Sequence, residues 1–267
     1  MAERIGDILR NGVRDKLARG EVVASMTVRL VRNVEIARIA KTAGFDTLYI
    51  DVEHSSFSLE TTSQICIAAL AVGIAPFVRV PSIRPEHVGR VLDGGALGVI
   101  APHVCSVDEA RAVVAAAKFP PLGERSAAGG LPHLQYRSFP IAEANAALND
   151  ATMVIVQCES DEFLEHADDI MGVDGVDMAL IGTNDMLAGW GMAGQYESPR
   201  VREAYARVIA AAKKHGKHVG VGGLPTRPAL IAEFVRMGAR YVSTGTDLAF
   251  LLAECTARAK QVRELEV

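Results

Sequence analysis

The sequence predicts an α/β fold: a closed (β/α)8 barrel of TIM type, preceded by one extra N-terminal helix. Apolar, β-branched runs alternate with alanine-rich amphipathic stretches along nearly the whole chain, the pattern of repeated βα units around a parallel sheet. Eight such runs fall at residues 22–30, 47–53, 75–80, 98–102, 153–157, 176–182, 218–222 and 241–245. Eight strands separated by helices suit a closed barrel better than an open sheet. A chain of 267 residues that is 49% hydrophobic can fill one large core, so residues 1–267 are read as a single barrel domain.

The extra helix is expected over residues 5–18, and the outer layer over 59–71, 85–93, 107–117, 199–215 and 228–237. Pro85 and Pro199 stand in first turns, where a missing N–H removes no helical bond, and Gly216 and Gly238 stand just past helix ends. One connection breaks the rhythm: residues 119–150 separate the fourth and fifth strands, with a short helix at 142–148. A loop that long inside a compact domain is usually functional. Its centre, Gly123-Glu124-Arg125-Ser126-Ala127-Ala128-Gly129-Gly130, is small and polar enough for backbone to approach a ligand, which makes Ser126 a substrate-binding candidate. The competing reading is a mobile surface loop.

Composition narrows the function classes. A formal charge of −4 and a pI near 6.0 give no electrostatic reason to expect nucleic acid or anionic membrane as a partner. No signal-peptide pattern opens the chain and no run of about 18 apolar residues occurs, so a cytoplasmic protein acting on a small molecule is expected. Cys66, Cys105, Cys158 and Cys255 lack the spacing of a zinc site or disulfide scaffold and are read as reduced, mostly buried thiols.

In such barrels the active site lies at the C-terminal ends of the strands. Asp51, Glu53 and His54 follow the second strand, Arg79 ends the third, His103 follows the fourth, Gln157 and Glu159 end the fifth, and Asp185 follows the sixth. Carboxylates, an imidazole and a guanidinium converging on one face would each be costly to bury alone, and a shared polar site resolves that cost. Glu159 and Asp185, emerging from neighbouring strands, are candidates to share one divalent ion through hard oxygen ligands; the alternative is a pair of capping or salt-bridged carboxylates. Arg79 is either a site residue or a structural ion-pair partner of Glu53 or Asp51. His54 follows an acidic cluster that would orient its ring for proton transfer, unless it is an ordinary capping histidine. His103 and His133 stay open.

The lysines read as helical, terminal or at a strand start, which disfavours Schiff-base chemistry. No nucleotide-binding glycine motif occurs. Gly220-Val221-Gly222-Gly223 is read as close packing at the rim, with anion binding as the alternative. Backbone N–H groups at Thr183 and Asn184 would hold a substrate carboxylate if a helix starts there.

With Tyr49-Ile50-Asp51-Val52-Glu53-His54, Val78-Arg79-Val80-Pro81-Ser82, Val156-Gln157-Cys158-Glu159 and Ile181-Gly182-Thr183-Asn184-Asp185 in order, the chain resembles the HpcH/HpaI family of metal-dependent pyruvate aldolases from about residue 20 to about 255. The resemblance implies a barrel of the phosphoenolpyruvate/pyruvate type in which Glu159 and Asp185 hold Mg2+ or Mn2+, with Co2+ or Zn2+ as alternatives. It implies that the ion takes the carboxylate and keto oxygens of pyruvate or a related 2-oxo acid such as hydroxypyruvate. It further implies that Arg79 contacts the keto oxygen, that His54 supported by Asp51 manages protons, and that the protein assembles as a homo-hexamer with an exchanged C-terminal helix. Thr183-Asn184-Asp185-Met186-Leu187 and Ser126-Ala127-Ala128-Gly129 depart from the Pro-Ala-Asp-Leu-Ser and Gly-Val-Gly patterns of many relatives, which bears on the acceptor pocket.

The expected activity is therefore reversible aldol cleavage of a 4-hydroxy-2-oxo acid to pyruvate or hydroxypyruvate plus an aldehyde, with Arg79→Ala losing most activity while folding normally. The rivals are a carbon–carbon lyase acting on acyl-CoA thioesters, which acetyl-CoA binding would reveal, and a catalytically silent binding barrel.

Overall fold

The computed structural model describes residues 4–265. Eight parallel strands close on one another in chain order: β1 (Val23–Val28), β2 (Thr47–Asp51), β3 (Ala75–Arg79), β4 (Gly98–Ala101), β5 (Met153–Cys158), β6 (Met178–Gly182), β7 (His218–Gly222) and β8 (Tyr241–Thr246). This is the (β/α)8 barrel that the alternating pattern predicts.

The N-terminal helix is two pieces, α1 (Ile5–Ile8) and α2 (Gly12–Ala18). Asn11 breaks the run. Its Oδ1 accepts from the N–H groups of Val13 and Arg14, which caps α2, and its Nδ2 donates to the carbonyls of Ala151 and Leu97 at 2.7 and 3.3 Å. One side chain thus starts a helix and ties it across the N-terminal mouth of the barrel. The outer helices continue with α3 (Glu35–Thr42), α4 (Leu59–Val72), α5 (Pro85–Asp93), α6 (Val107–Ala117), α7 (Ile141–Ala151), α8 (Asp161–Glu165), α9 (Ala167–Met171), α10 (Thr183–Gly189), α11 (Pro199–Lys214), α12 (Pro228–Met237) and α13 (Asp247–Arg263).

Strand alternation sorts the core into two layers. Leu48, Ile50, Val78, Val154 and Val156 pack outward against the helices. Tyr49, Phe77, Ile155, Leu180 and Tyr241 pack inward. Inward glycines make room for the rings: a Cβ on Gly98 would meet Phe77 at 2.7 Å, and one on Gly220 would meet Leu180 at 2.8 Å. The same parity aims Asp51, Arg79 and Gln157, each two residues beyond an inward apolar side chain, toward the barrel axis at its C-terminal end.

Two expectations are corrected. Residues 119–150 follow the expected helix α6, so the long connection read as approaching a ligand begins at the N-terminal end of the barrel, where Leu131, Leu134 and Leu148 pack with Ile5, Leu9 and Val13. There Arg125 pairs with Asp93 at the end of α5 at 2.7 Å, and buried His133 bonds the Ala96 carbonyl at 2.9 Å. Residues 131–134 and the buried side of α7 form a packed floor, while residues 126–129 stand exposed beside α5 and α6, away from the C-terminal cavity. The first strand also stops at Val28 and not at residue 30, because the N–H groups of Arg29, Leu30 and Val31 are taken by the buried Asp247 carboxylate.

Asp247 is the buried residue of α13; the rest of that helix stands exposed, including Leu248, Leu251, Leu252 and Val262. Among the described residues no helix is long and apolar enough to cross a membrane.

Candidate active site

A cavity of ≈ 290 Å³ opens at the C-terminal end of the barrel, lined by the ends of β1, β2, β3, β5, β6, β7 and β8 and the segments that follow several of them. Asp51, His54, Arg79, Gln157, Asn184 and Asp185 all line it.

Asp51 and Arg79 are partners in the β2–β3 register, which sets their side chains side by side. Arg79 Nε and Nη2 donate to the two Asp51 oxygens at 3.0 and 2.7 Å, and Nη1 faces Glu53 Oε2 at 2.9 Å. The guanidinium also lies 5.4 Å from the centre of the Tyr49 ring, a cation–π distance. Burial alone would raise the Asp51 pKa, but the Arg79 hydrogen bonds and charge overcome it and hold this carboxyl below its ordinary range. Arg79 is thus an ion-pair partner of both Asp51 and Glu53 and also lines the cavity. His54 is held differently from expectation. Its backbone N–H, not its ring, donates to Asp51 at 3.1 Å, and its half-exposed ring has Nε2 3.7 Å from Glu53 Oε2.

Glu159 follows β5 at the same rim, behind the residues that line the cavity. Gln157 Nε2 donates to its Oε1 at 2.6 Å, and the His103 N–H donates to Oε2 at 3.2 Å. His103 has φ +55, a left-handed conformation uncommon for a non-glycine residue. That turn aims backbone and ring at one place: Nδ1 lies 3.2 Å from Glu159 and Nε2 lies 2.8 Å from Glu53. One residue after β4 thus couples the β2 carboxylate to the β5 carboxylate. The Glu159 pKa is raised, first by burial, with the negative charges of Asp185 and Glu53 adding and His103 opposing.

Glu159 and Asp185 follow adjacent, directly paired strands on the same rim. Gly182, three residues before Asp185, gives Glu159 its space, since a Cβ there would fall 2.8 Å from Glu159 Cγ and Oε1. Gln157 Oε1 is buried with no hydrogen-bond partner. Among the described residues no three His, Cys, Asp or Glu side chains gather as a metal cage. What the protein offers is two carboxylates and an orphaned amide oxygen, hard donors that suit a divalent ion completed by substrate and water oxygens.

Two sequence candidates fall outside this arrangement. Thr183 starts α10 as expected, but its hydroxyl is buried between Tyr205 Oη (2.9 Å) and the Gly222 carbonyl (2.8 Å). Its side chain holds β6, β7 and α11 together and does not line the cavity. Ser126 lies in a separate groove with Asp93 and Arg125, beside α5 and α6, because its loop leaves the C-terminal end of α6. Asn184 does line the cavity, with its Oδ1 accepting from Tyr196 Oη at 2.8 Å. Gly222 and Gly223 pack closely at the rim, as expected, and also line the cavity.

Sequence reasoning passed over Arg29, which lines the cavity and donates to the His54 carbonyl at 3.0 Å. The signal was its charge inside the otherwise uncharged run Met26-Thr27-Val28-Arg29-Leu30-Val31, hidden by extending the strand through it. The coupling roles of Glu53 and His103 were likewise invisible until the strands were placed.

Residues 29–253 match the family model described as HpcH/HpaI aldolase/citrate lyase. The chain is 43% identical over 216 residues, 80% of each chain, to a 4-hydroxy-4-methyl-2-oxoglutarate aldolase from Hapsidospora irregularis. It is 32% identical over 256 residues, 94% of each, to a 4-hydroxy-2-oxo-heptane-1,7-dioate aldolase from Salmonella typhimurium. The crystal structure of an HpcH/HpaI aldolase from Desulfitobacterium hafniense superposes with a TM-score of 0.90 at 31% identity, covering 97% of this chain and 98% of that one. The barrel, its acidic rim and these likenesses agree: the chain belongs to the HpcH/HpaI aldolase/citrate lyase family.

Proposed function

We propose that this aldolase is divalent-metal-dependent and reversibly cleaves a 4-hydroxy-2-oxo acid to pyruvate or hydroxypyruvate plus a second carbonyl compound. The observation that carries the reading is the gathering, at one rim, of a carboxylate pair from adjacent strands suited to a hard ion and a cavity-facing guanidinium held by Asp51 and Glu53. Glu159 and Asp185 would hold the ion, Mg2+ or Mn2+ by the hardness of their oxygens. When bound, it supplies Lewis-acid polarisation of the 2-oxo group.

The chain's own residues supply the rest. Arg79 donates to the 2-oxo oxygen as the C3–C4 bond breaks and its electron pair moves toward C2, so that negative charge meets a fixed positive group. The bidentate Asp51 contact and the Glu53 contact keep that guanidinium from reorganising during the step. His54 accepts the proton of the 4-hydroxyl, directly or through a water, and returns it to C3. The first-turn N–H groups of α10, whose N-cap Gly182 brings no side chain to cap them, suit the substrate carboxylate.

We also infer a homo-oligomer, a hexamer by family likeness, in which α13 docks on a neighbouring copy. The support is its exposed row of Leu248, Leu251 and Leu252, with Val34 and Ile39 exposed as well, apolar surface that a partner would cover. Four free thiols, with Cys66 and Cys158 buried, fit a reducing, cytoplasmic setting.

The test is deuterium exchange into the methyl group of pyruvate, followed by NMR with and without chelator. Exchange that needs Mg2+ or Mn2+ and is lost in Glu159→Gln is expected. Exchange of undiminished rate in chelator refutes the metal role.

A further inference from the structure

We infer that Arg29 is a specificity-determining residue that binds a second anionic group, a carboxylate, at the end of the substrate remote from the 2-oxo acid. The inference rests on the aldolase reading, in that it takes the 2-oxo acid end to lie at Glu159 and Asp185.

Two cationic side chains, Arg29 and Arg79, are among those lining the cavity. Arg79 is held in place by the protein: Nε and Nη2 donate to buried Asp51 and Nη1 faces Glu53, in a side chain 10% exposed, which leaves its remaining N–H groups to the 2-oxo oxygen. Arg29 is held less fully. Its Nη2 donates to the His54 carbonyl at 3.0 Å, its Nε stands 3.4 Å from Asp51 Oδ2, and no hydrogen bond engages Nη1 among the described residues, in a side chain 41% exposed.

Asp51 draws little on it. Its Oδ1 receives Nε of Arg79 and the N–H groups of Glu53 and His54, and its Oδ2 receives Nη2 of Arg79 at 2.7 Å, so that Arg29 adds only the long 3.4 Å contact of its Nε to Oδ2. The Nη1 edge of this guanidinium is left to the cavity that the side chain lines.

Position assigns the partner. In the closed order β1 to β8, β1 stands across the mouth from β5 and β6, which carry Glu159 and Asp185. His54, after β2 and bonded through its carbonyl to Arg29, lines the same cavity. A substrate with its 2-oxo acid at β5 and β6 and its hydroxyl carbon near His54 therefore extends toward Arg29. A planar guanidinium edge with free N–H groups there matches a carboxylate, and a terminal methyl in that place would leave the charge unpaired.

The test compares 2-oxoglutarate with 2-oxopentanoate, which share a chain length and differ in carrying a carboxylate or a methyl at C5. Binding of each to the Mg2+-loaded protein is measured by calorimetry, in the wild type, Arg29→Met and Arg29→Lys. The wild type should bind 2-oxoglutarate at least about tenfold more tightly, as a charge-assisted hydrogen bond is worth roughly that factor or more. Arg29→Met should bring the ratio to about one, and Arg29→Lys should keep part of it, because charge survives without the fork. The inference is overturned if the wild type does not discriminate, or if Arg29→Met weakens both ligands by one common factor. Pyruvate exchange separates the two ideas: discrimination without exchange sinks the aldolase reading alone, exchange without discrimination sinks the Arg29 assignment alone, and binding of neither ligand sinks both.

Discussion

Replacing Arg79 by methionine should cost the protein stability as well as activity, and the structure sets the size of the loss. Asp51 is completely buried, and two of its four hydrogen bonds, at 3.0 and 2.7 Å, come from Arg79; Glu53 loses its 2.9 Å contact too. Removing one partner of a buried ion pair leaves an uncompensated charge and costs about 3–5 kcal/mol. The N–H groups of Glu53 and His54 and the more distant Arg29 remain, so the lower end, about 3 kcal/mol, is expected, a fall in Tm of about 6–12 °C for a domain of this size.

The pH dependence follows from the direction of the Asp51 shift. Arg79 holds its folded pKa below the ordinary 3.8, so in the wild type that stabilisation is present above the unfolded value and is lost only as pH falls through the lowered one. In Arg79→Met burial acts with less opposition, the folded pKa rises, and the deficit relative to wild type shrinks as acid neutralises the stranded carboxyl. Urea unfolding at pH 7 and pH 5 reads both effects, and Asp51→Asn in the Arg79→Met background should recover part of the loss by removing the charge. If Arg79→Met unfolds within about 1 kcal/mol of wild type, or the second substitution recovers nothing, the carboxylates are solvated and the buried-pair argument is wrong. The sequence-based expectation that an arginine deletion folds normally differs from this because it had no burial for Asp51.

The buried floor carries its own titration. His133, pushed down to about 4 from 6.5 chiefly by burial, favours folding above pH 6.5 and loses that contribution as pH falls toward 4, about 3 kcal/mol in all; the acid limb of a stability–pH curve should flatten in His133→Gln, and an unchanged limb counts against it. On α13, glutamates at Leu251 and Leu252, exposed by 54% and 63%, should lower the mass found by light scattering while leaving the barrel's circular dichroism intact; an unchanged assembly would mean that this helix docks on nothing.

What could be read from the sequence follows the two-residue period of strands. Asp51, Arg79, Gln157 and Glu159 each continue the inward parity of an apolar residue in the same strand, so strand position and alternation were enough to gather them at one rim. Thr183 shows the limit: a hydroxyl at a strand-to-helix junction can face the cavity or its neighbours, and only the presence of Tyr205 and the Gly222 carbonyl within 3 Å decides.

Ser126 was legible and misread. Residues 107–117 are helical in the sequence, so whatever follows them must begin at the N-terminal end of the barrel, however small and polar it is. Arg29 was the reverse case. Its charge was visible, but which end of a strand it occupied depended on Asp247, more than two hundred residues away, taking the N–H groups that end β1. Long-range contacts of that kind decide where strands stop, and where a strand stops decides whether its last charge is stranded in a wall or delivered to a substrate.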